Sequence, residues 1–315
     1  MAKLGCSTDC CDGQLSQSCV RMNDPLATII IRSFNEGWAL SETLPALRAQ
    51  DYTNWELIVI DSGSTDGSVE LIRNAAPSHF IQIQPHEYNP SRVMNRGMQL
   101  ARSEIAVFLN ADATPQGPNW LRPLVSLLQD SLTGAVFGRQ IPRPGCRAVF
   151  WHDYDRCFGP KRDSAKWEHF FSMVSSGLRK DIWSQRGFLD TMQYSEDDEY
   201  TRWCRAHGYR VLYCPESVVM HSHNYTPVQA YKRSFGEARA LAAVWKSSPT
   251  EINWPRTVLL GWFNDVRRDF GFCARHGRLA EWRHAAQIRW QQRRARLEGF
   301  REGWKFYRND EAIYH

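Results

Sequence analysis

The stretch Phe108-Leu109-Asn110-Ala111-Asp112-Ala113-Thr114-Pro115 ends an apolar run in an amide, a carboxylate and a proline. It reads as a buried strand that stops and hands an acid to a loop. Ligands of open α/β sheets bind outside the carboxyl ends of the strands, and a carboxylate at such an edge is placed to hold a hard cation or a polar ligand. Asn, Asp and Pro are also ordinary turn formers, so the meaning of this stretch depends on the rest of the chain.

Working outward, residues 104–109 supply the strand itself, and the uninterrupted β-branched run at 27–34 and the run at 56–61 supply two more. Such runs are the signature of strands buried on both faces. Asn35-Glu36-Gly37 follows the first as a turn, and residues 38–49 carry Trp38, Leu40, Leu44 and Leu47 at helical spacing. The second strand ends in Asp61, and the loop 62–67 (SGSTDG) opens a helix over 68–75. Residues 80–83 read as a short strand and 91–101 as a helix. Strand alternating with helix predicts a parallel sheet with right-handed crossovers, a nucleotide-binding type of α/β layer.

The second half predicts a helix at 120–128, a strand at 134–140, a long irregular connection over 142–167, a strand at 170–178 and a helix beginning at 179–183. Long connections in compact domains are usually functional. A helix opens at Glu196-Asp197-Asp198-Glu199, with Ser195 placed to cap it and the acids set against its N-terminal dipole. Two short strands, 208–213 and 217–220, lead into His221-Ser222-His223-Asn224-Tyr225.

At 315 residues and 43% hydrophobic content the chain can bury a sizeable core. No apolar run approaches the roughly 20 residues needed to span a bilayer, and no secretory signal pattern is visible. Residues 1–25 form a polar leader, expected to be disordered, with four of the nine cysteines; the odd total and lack of framework spacing suit a reducing cytoplasm. Residues 26–250 make the α/β domain. The net charge of +5 is a property of the segment 251–315: from Arg256 onward there are 13 Lys/Arg against 7 Asp/Glu. Within it Trp262, Phe263, Val266 and Phe270 form a helical apolar stripe, with Arg267, Arg268, Arg275 and Arg278 around or after it. A basic amphipathic helix of this kind suits an anionic membrane surface, and equally a pair of helices packed on the body or on a second subunit, as in a homodimer. Nucleic acid is not expected as a partner.

No GxGxxG or Walker pattern is present, which argues against a dinucleotide dehydrogenase or a P-loop enzyme. Two strand-end acids remain. Asp61 is placed to accept the imide N–H of a pyrimidine, and a divalent ion on Asp112 would neutralise a diphosphate. Oxygen ligands and phosphate fit Mg²⁺ or Mn²⁺, and an imidazole from His221 or His223 favours Mn²⁺. The acids at 196–199 offer a general base, since crowded carboxylates raise one another's proton affinity.

The segments 29–36 (IIIRSFNE) and 59–67 (VIDSGSTDG), with Asn95-Arg96-Gly97, Asn110-Ala111-Asp112 and Glu196-Asp197 in this order, resemble a family 2 glycosyltransferase of the inverting GT-A fold. The resemblance spans roughly residues 27–226. Residues 138–142 and 221–225 are similar to rhamnosyltransferase-like members. The resemblance implies an EC 2.4 hexosyltransferase of polysaccharide biosynthesis. It would move a sugar from a UDP or dTDP donor, dTDP-rhamnose among them, to a hydroxyl of a glycan or lipid-linked acceptor, in the cytoplasm or peripherally on the membrane's inner face. Carried over by position, Ser33, Asn35, Glu36, Asp61 and Ser62 contact the nucleoside, and Asn95, Asn110 and Ala111 serve the ribose and diphosphate region. Asp112 binds the metal with His221 or His223, Asp197 is the base, and Glu196 orients it. The family's Asp-x-Asp reads Asn110-Ala111-Asp112 here, which motivates an alternative: a sugar-nucleotide-binding or scaffold protein without turnover.

Overall fold

The computed structural model describes residues 24–159, 170–245 and 253–307. Nearly all of the leader, with its four cysteines, lies outside the described residues, as does the segment 160–169 within the expected connection.

Eight strands form one mixed sheet in the order β3-β2-β1-β4-β7-β6-β8-β5. The parallel part is β1 (Ala27–Ser33), β2 (Trp55–Asp61), β3 (His79–Gln82) and β4 (Ile105–Asn110), crossed over by α1 (Gly37–Arg48), α2 (Ser68–Asn74) and α3 (Pro90–Leu100). The remainder is β5 (Thr114–Pro115), β6 (Thr133–Ile141), β7 (Ser175–Arg179) and β8 (Arg210–Met220), with β7 antiparallel to both β4 and β6. Because β1 lies between β2 and β4, the chain leaves it in opposite directions on its two sides. The carboxyl ends of these three strands therefore border a crevice.

Alternation along the strands builds two cores. Ile29 and Ile31 of β1 pack with Leu40, Leu44 and Leu47 of α1 and with Leu121, Leu124 and Leu128 of α4 (Leu121–Leu128). Ile30, pointing to the other face, packs with Val93, Met94 and Met98 of α3 and with Tyr200 and Cys204 of α7 (Glu196–Ala206). Helix α3 lies so close to β1 that a Cβ at Gly97 would come within 2.6 Å of Ile30 Cγ2. Glycine is required there by proximity.

Several sequence expectations are corrected. The irregular connection contains a helix, α5 (Ala148–Cys157), which has no side-chain cap at its N-terminus and owes its order to tertiary contacts. The expected strand at 170–178 is confined to β7, and α6 (Lys180–Trp183) follows it as a single turn. The two strands around residue 215 are one, β8, whose pairing with β6 slips between Gly138 and Arg139. A Pro at 215 explains why the run reads as two, since it interrupts the strand pattern without ending the strand.

After β8, α8 (Pro227–Trp245) packs along α10 (Trp282–Tyr307). The two helices meet backbone to backbone, because Gly299 and Gly303 lie against the carbonyl oxygens of Phe235 and Arg239 with no room for a Cβ. Between them a π-helical turn (Pro255–Leu260) leads into α9 (Gly261–Arg275). The expected stripe on α9 divides: Trp262 turns inward and donates Nε1–H to Ala286 O at 2.9 Å, whereas Phe263 and Phe270 face outward. A buried ionic knot fastens this layer to α5. Arg289 donates to both oxygens of Asp153 (2.8 and 2.8 Å) and to Asp269 Oδ2 (2.8 Å), while His152 Nδ1 lies 2.6 Å from Asp269 Oδ1.

Candidate active site

The crevice is assembled from loops that hold one another in place. At the end of β1, Asn35 adopts φ 52°, a left-handed conformation that Asn tolerates. Its side-chain Oδ1 accepts from Thr65 N (2.8 Å), and its own N–H donates to Ser64 Oγ (2.8 Å). Asp66 accepts from Gly37 N (2.9 Å) and Ser68 N (3.1 Å), so one carboxylate serves the first turns of both α1 and α2. Asp61 is fully buried and accepts from Gly63 N (3.1 Å) and Ser64 N (2.9 Å). Asn35 and Asp61 thus shape the loops around the cleft. A cleft of about 350 Å³ opens above them, lined by Arg32, Ser33, Phe34, Glu36, Ser62, Pro85, Tyr88 and Asn110. Phe34 and Tyr88 are exposed aromatic walls, of a kind that can take the face of a base. Burial, then the charge of Asp112, pushes the Glu36 carboxyl up to about 8, so at neutral pH it is largely a hydrogen-bond donor.

A two-residue strand forms the next part of the site. β5 pairs antiparallel with the end of β8, Thr114 opposite Met220 and Pro115 opposite Val219. That pairing brings Asp112, just before β5, against His221 and His223, just after β8. Asp112 Oδ2 lies 3.4 Å from His221 Nε2 and 3.3 Å from His223 Nε2, and the two nitrogens are 3.1 Å apart. One ligand atom from each of the three falls within a sphere of mutual distance 4.8 Å, a mixed oxygen and nitrogen set able to hold a divalent metal ion. Burial raises the Asp112 carboxyl, but the hydrogen bond from His221 and the two imidazoles outweigh it and keep it below its ordinary range. Burial, followed by the charge of His221, drives the His223 imidazole down to about 4, leaving it neutral and its lone pair available. His221 Nδ1 lies 2.9 Å from Gln140 Oε1 and 3.0 Å from the Tyr154 hydroxyl of α5. Gln140 Oε1 only accepts, so it holds a proton on Nδ1 and leaves Nε2 as the nitrogen that would offer its lone pair to a cation shared with Asp112 and His223. Arg143 Nη2 clamps the loop from behind, donating to Asp112 O (2.9 Å) and Thr114 Oγ1 (2.8 Å), with its guanidinium over the Trp38 ring.

Arg32 joins this centre to the acids of α7. It pairs in register with Asn110, donates from Nη2 to Asn110 Oδ1 (2.8 Å), and places Nη1 3.9 Å from Glu196 Oε1. Burial and the neighbouring Asp197 raise Glu196 to about 7; burial raises Asp197 too, against the opposing N–H donors of Asp198 (2.9 Å) and Met173 (3.3 Å). Asp198 is pushed up to about 8 by burial and then by Asp197. Glu196 and Asp198 thus hold protons in the range where a base is useful, with Asp197 between them raised in the same direction.

Three expectations for the acidic stretch and its neighbours change. Ser195, at φ 58°, makes no side-chain cap; Asp197 itself accepts from the N–H of Asp198. Glu199 is committed to a two-pronged ion pair with Arg186 (2.8 and 2.6 Å) and is structural. The Asn95 amide is saturated: it donates to Phe188 O (2.8 Å) and Asp190 Oδ1 (3.0 Å) and accepts from Trp183 Nε1 (3.0 Å) and Phe188 N (2.9 Å). It fastens the 183–190 loop to α3. Ala111 is likewise internal, its carbonyl accepting from Thr43 Oγ1 (2.9 Å). Sequence reasoning missed Arg32, Tyr88, Gln140, Arg143 and Tyr154. Two of them carried a visible signal: Arg32 as a charge inside an otherwise apolar strand, and Gln140 as part of the 138–142 segment.

Comparison with known proteins agrees with this arrangement. The glycosyl transferase family 2 model matches residues 28–187. O-antigen chain rhamnosyltransferase WbaN of Salmonella anatum is 30% identical over 224 residues, covering 67% of this chain and 70% of that protein. O-antigen chain rhamnosyltransferase RfbN of Salmonella typhimurium is 29% identical over 219 residues, covering 66% and 70%. In fold, the mannosyltransferase PcManGT of Pyrobaculum calidifontis, solved with GDP-Man and Mn²⁺, superposes with a TM-score of 0.61 at 18% identity over 91% of this chain and 88% of that one. The chain therefore belongs to glycosyl transferase family 2, as an inverting GT-A glycosyltransferase that draws its sugar from a nucleoside-diphosphate donor.

Proposed function

We propose that the chain transfers a rhamnose-type deoxyhexose from dTDP or UDP to a hydroxyl of a growing, lipid-linked polysaccharide. The observation that carries this reading is the position of Asp112, His221 and His223 beside the cleft that Asn110 lines. The Salmonella relatives support the sugar and the acceptor class. Asp112, His221 and His223 would hold Mn²⁺ in preference to Mg²⁺, because two of the three donors are imidazoles. The ion, when bound, offsets charge on the departing diphosphate.

The protein's own groups do the rest. Ser33, Glu36 and Ser62 present polar atoms to the nucleoside between Phe34 and Tyr88, while Asp61, buried beneath them and bonded to Gly63 and Ser64, holds the loop that carries Ser62. Arg32 supplies a fixed cation at Asn110, where the family's usual second carboxylate would stand. A guanidinium there favours the diphosphate directly, which compensates for a metal bound by one carboxylate fewer. Asp197 takes the acceptor proton during in-line attack, and Glu196, tied to Arg32, sets its charge environment. Nucleoside-diphosphate sugars are charged and do not cross a bilayer unaided, so the site works in the cytoplasm, on the inner face of a membrane.

Calorimetric titration with UDP, dTDP and GDP, each with Mn²⁺, with Mg²⁺ and with a chelator, tests the reading. One pyrimidine nucleotide is expected to bind, only with metal, and Asp112→Ala is expected to abolish that binding. Equal binding in the presence of chelator, or binding by GDP alone, would overturn it.

A further inference from the structure

The outer face of the C-terminal helices has a composition that packing within the chain does not account for. Over residues 253–283 every exposed Asp, Glu, Lys or Arg is an arginine: Arg256, Arg267, Arg268, Arg275 and Arg283. The acids of the same span are turned inward and paired, Asp265 with Arg293 (2.7 Å), Asp269 with Arg289 (2.8 Å) and Glu281 with Arg278 (2.5 Å). Among these arginines stand Leu259, Leu260, Phe263 and Phe270, with Leu260 54% and Phe263 60% exposed. Leu259 or Leu260, Phe263, Arg267 and Phe270 recur every three to four residues, which places them along one side of the helix. The Phe270 ring meets Trp282 at 6.0 Å and carries the apolar face onto α10.

We infer that this face docks on an anionic lipid surface. Exposed apolar side chains flanked only by cations match the lipid boundary, where rings enter the headgroup region and guanidinium groups meet phosphate. A second copy of this chain docking through the same face would bring five arginines against five arginines, with no exposed acid in this span to answer them. Among the described residues no helix is long and apolar enough to cross a membrane, and docking through this face is reversible. The docking face is one helix layer from the metal-ligating cluster: α9 meets α5 through Asp269 and His152, and two residues further along α5, on another side of that helix, Tyr154 reaches His221. A lipid-linked acceptor would then lie near the site without leaving its membrane. The docking inference itself rests on the helical layer alone and is independent of the donor and metal assignments.

The test is co-sedimentation of the full chain with phosphatidylcholine vesicles, with and without phosphatidylglycerol. Binding is expected only with the anionic lipid. Each arginine is worth about fivefold in partitioning, so Arg267→Gln with Arg268→Gln is expected to weaken it about 25-fold. Phe263→Ser is expected to release the protein as well, while both variants keep their nucleotide affinity in solution. Failure of the unaltered chain to pellet with anionic vesicles, or unchanged pelleting of the double arginine variant, overturns the inference. So does a dimer in sedimentation velocity, without vesicles, that Phe263→Arg converts to monomer.

Discussion

Replacing Gln140 by leucine isolates one proton at the metal-ligating cluster. Gln140 is 3% exposed and its Oε1 lies 2.9 Å from His221 Nδ1, while its Nε2 donates to Ser172 Oγ at 2.8 Å. Leucine fills nearly the same volume, so packing around β6 is kept while the acceptor for His221 and the donor to Ser172 are lost. The Tyr154 hydroxyl, 3.0 Å from the same Nδ1, is then free to donate to it, which moves the imidazole proton to Nε2, the nitrogen that faces Asp112. That tautomer has no lone pair to offer a cation. Loss of such a supporting hydrogen bond costs about 10–100-fold in metal affinity, or roughly 1.4–2.7 kcal/mol. Titration of Mn²⁺ into the protein, by calorimetry and by the loss of the free-ion paramagnetic resonance signal, reads the affinity without turnover. Gln140→Glu, which keeps an acceptor, is expected to retain it. Gln140→Leu with Tyr154→Phe is expected to recover part of the loss, because the competing donor is gone. A leucine variant that binds Mn²⁺ as tightly as the unaltered protein, while Asp112→Ala does not bind, would refute the assignment of Nε2 as the ligand.

Four further outcomes follow from the geometry. Asp197→Asn is expected to lower kcat by about 10²–10⁴-fold while leaving nucleotide affinity unchanged, and a kcat close to that of the unaltered enzyme would remove Asp197 from the base's role. The base must be ionised to act, and burial lifts Glu196 to about 7 and Asp198 to about 8, so kcat/KM is expected to rise between pH 6 and 8; Asp198→Asn, which removes a like charge, shifts that limb to lower pH. The folded chain also holds these protons after the unfolded chain has released them, so stability falls as pH climbs from the ordinary carboxylate range toward 8, and Asp198→Asn should raise Tm more at pH 8 than at pH 5. Arg289→Met strands the buried Asp269 with His152 alone, a loss of about 3–5 kcal/mol that lowers Tm by about 4–8 °C in a chain of this size. An unchanged melting curve would show that the knot between α5, α9 and α10 is not what holds the helical layer on.

What could be read from the sequence is what depends on near neighbours in the chain. The β-branched runs at β1, β2 and β4 and the loop chemistry at 35–37 and 62–67 needed only period and turn rules, and they set the crevice correctly. The metal-ligating cluster needed a pairing of two residues, Thr114 with Met220 and Pro115 with Val219, which is too short to leave any period in the sequence; ligand chemistry and resemblance group Asp112 with the two histidines, and only the fold joins them. Helix α5 shows the opposite failure. Its helical order depends on charges 117 and 136 residues away, His152 with Asp269 and Asp153 with Arg289, so a segment dense in aromatic and charged residues reads as irregular until those partners are in place. Resemblance gives Asn95 a role toward the ribose or diphosphate, and Glu199 is one of the four crowded acids that could supply a base, yet each spends its hydrogen-bonding capacity inside the protein. Composition identifies a polar side chain but not whether its partner is substrate or chain. Arg32 is an exception whose signal was visible: a largely buried charge next to the end of a hydrophobic strand costs too much to be carried without partners, and those it has, Asn110 and Glu196, lie on the two halves of the site.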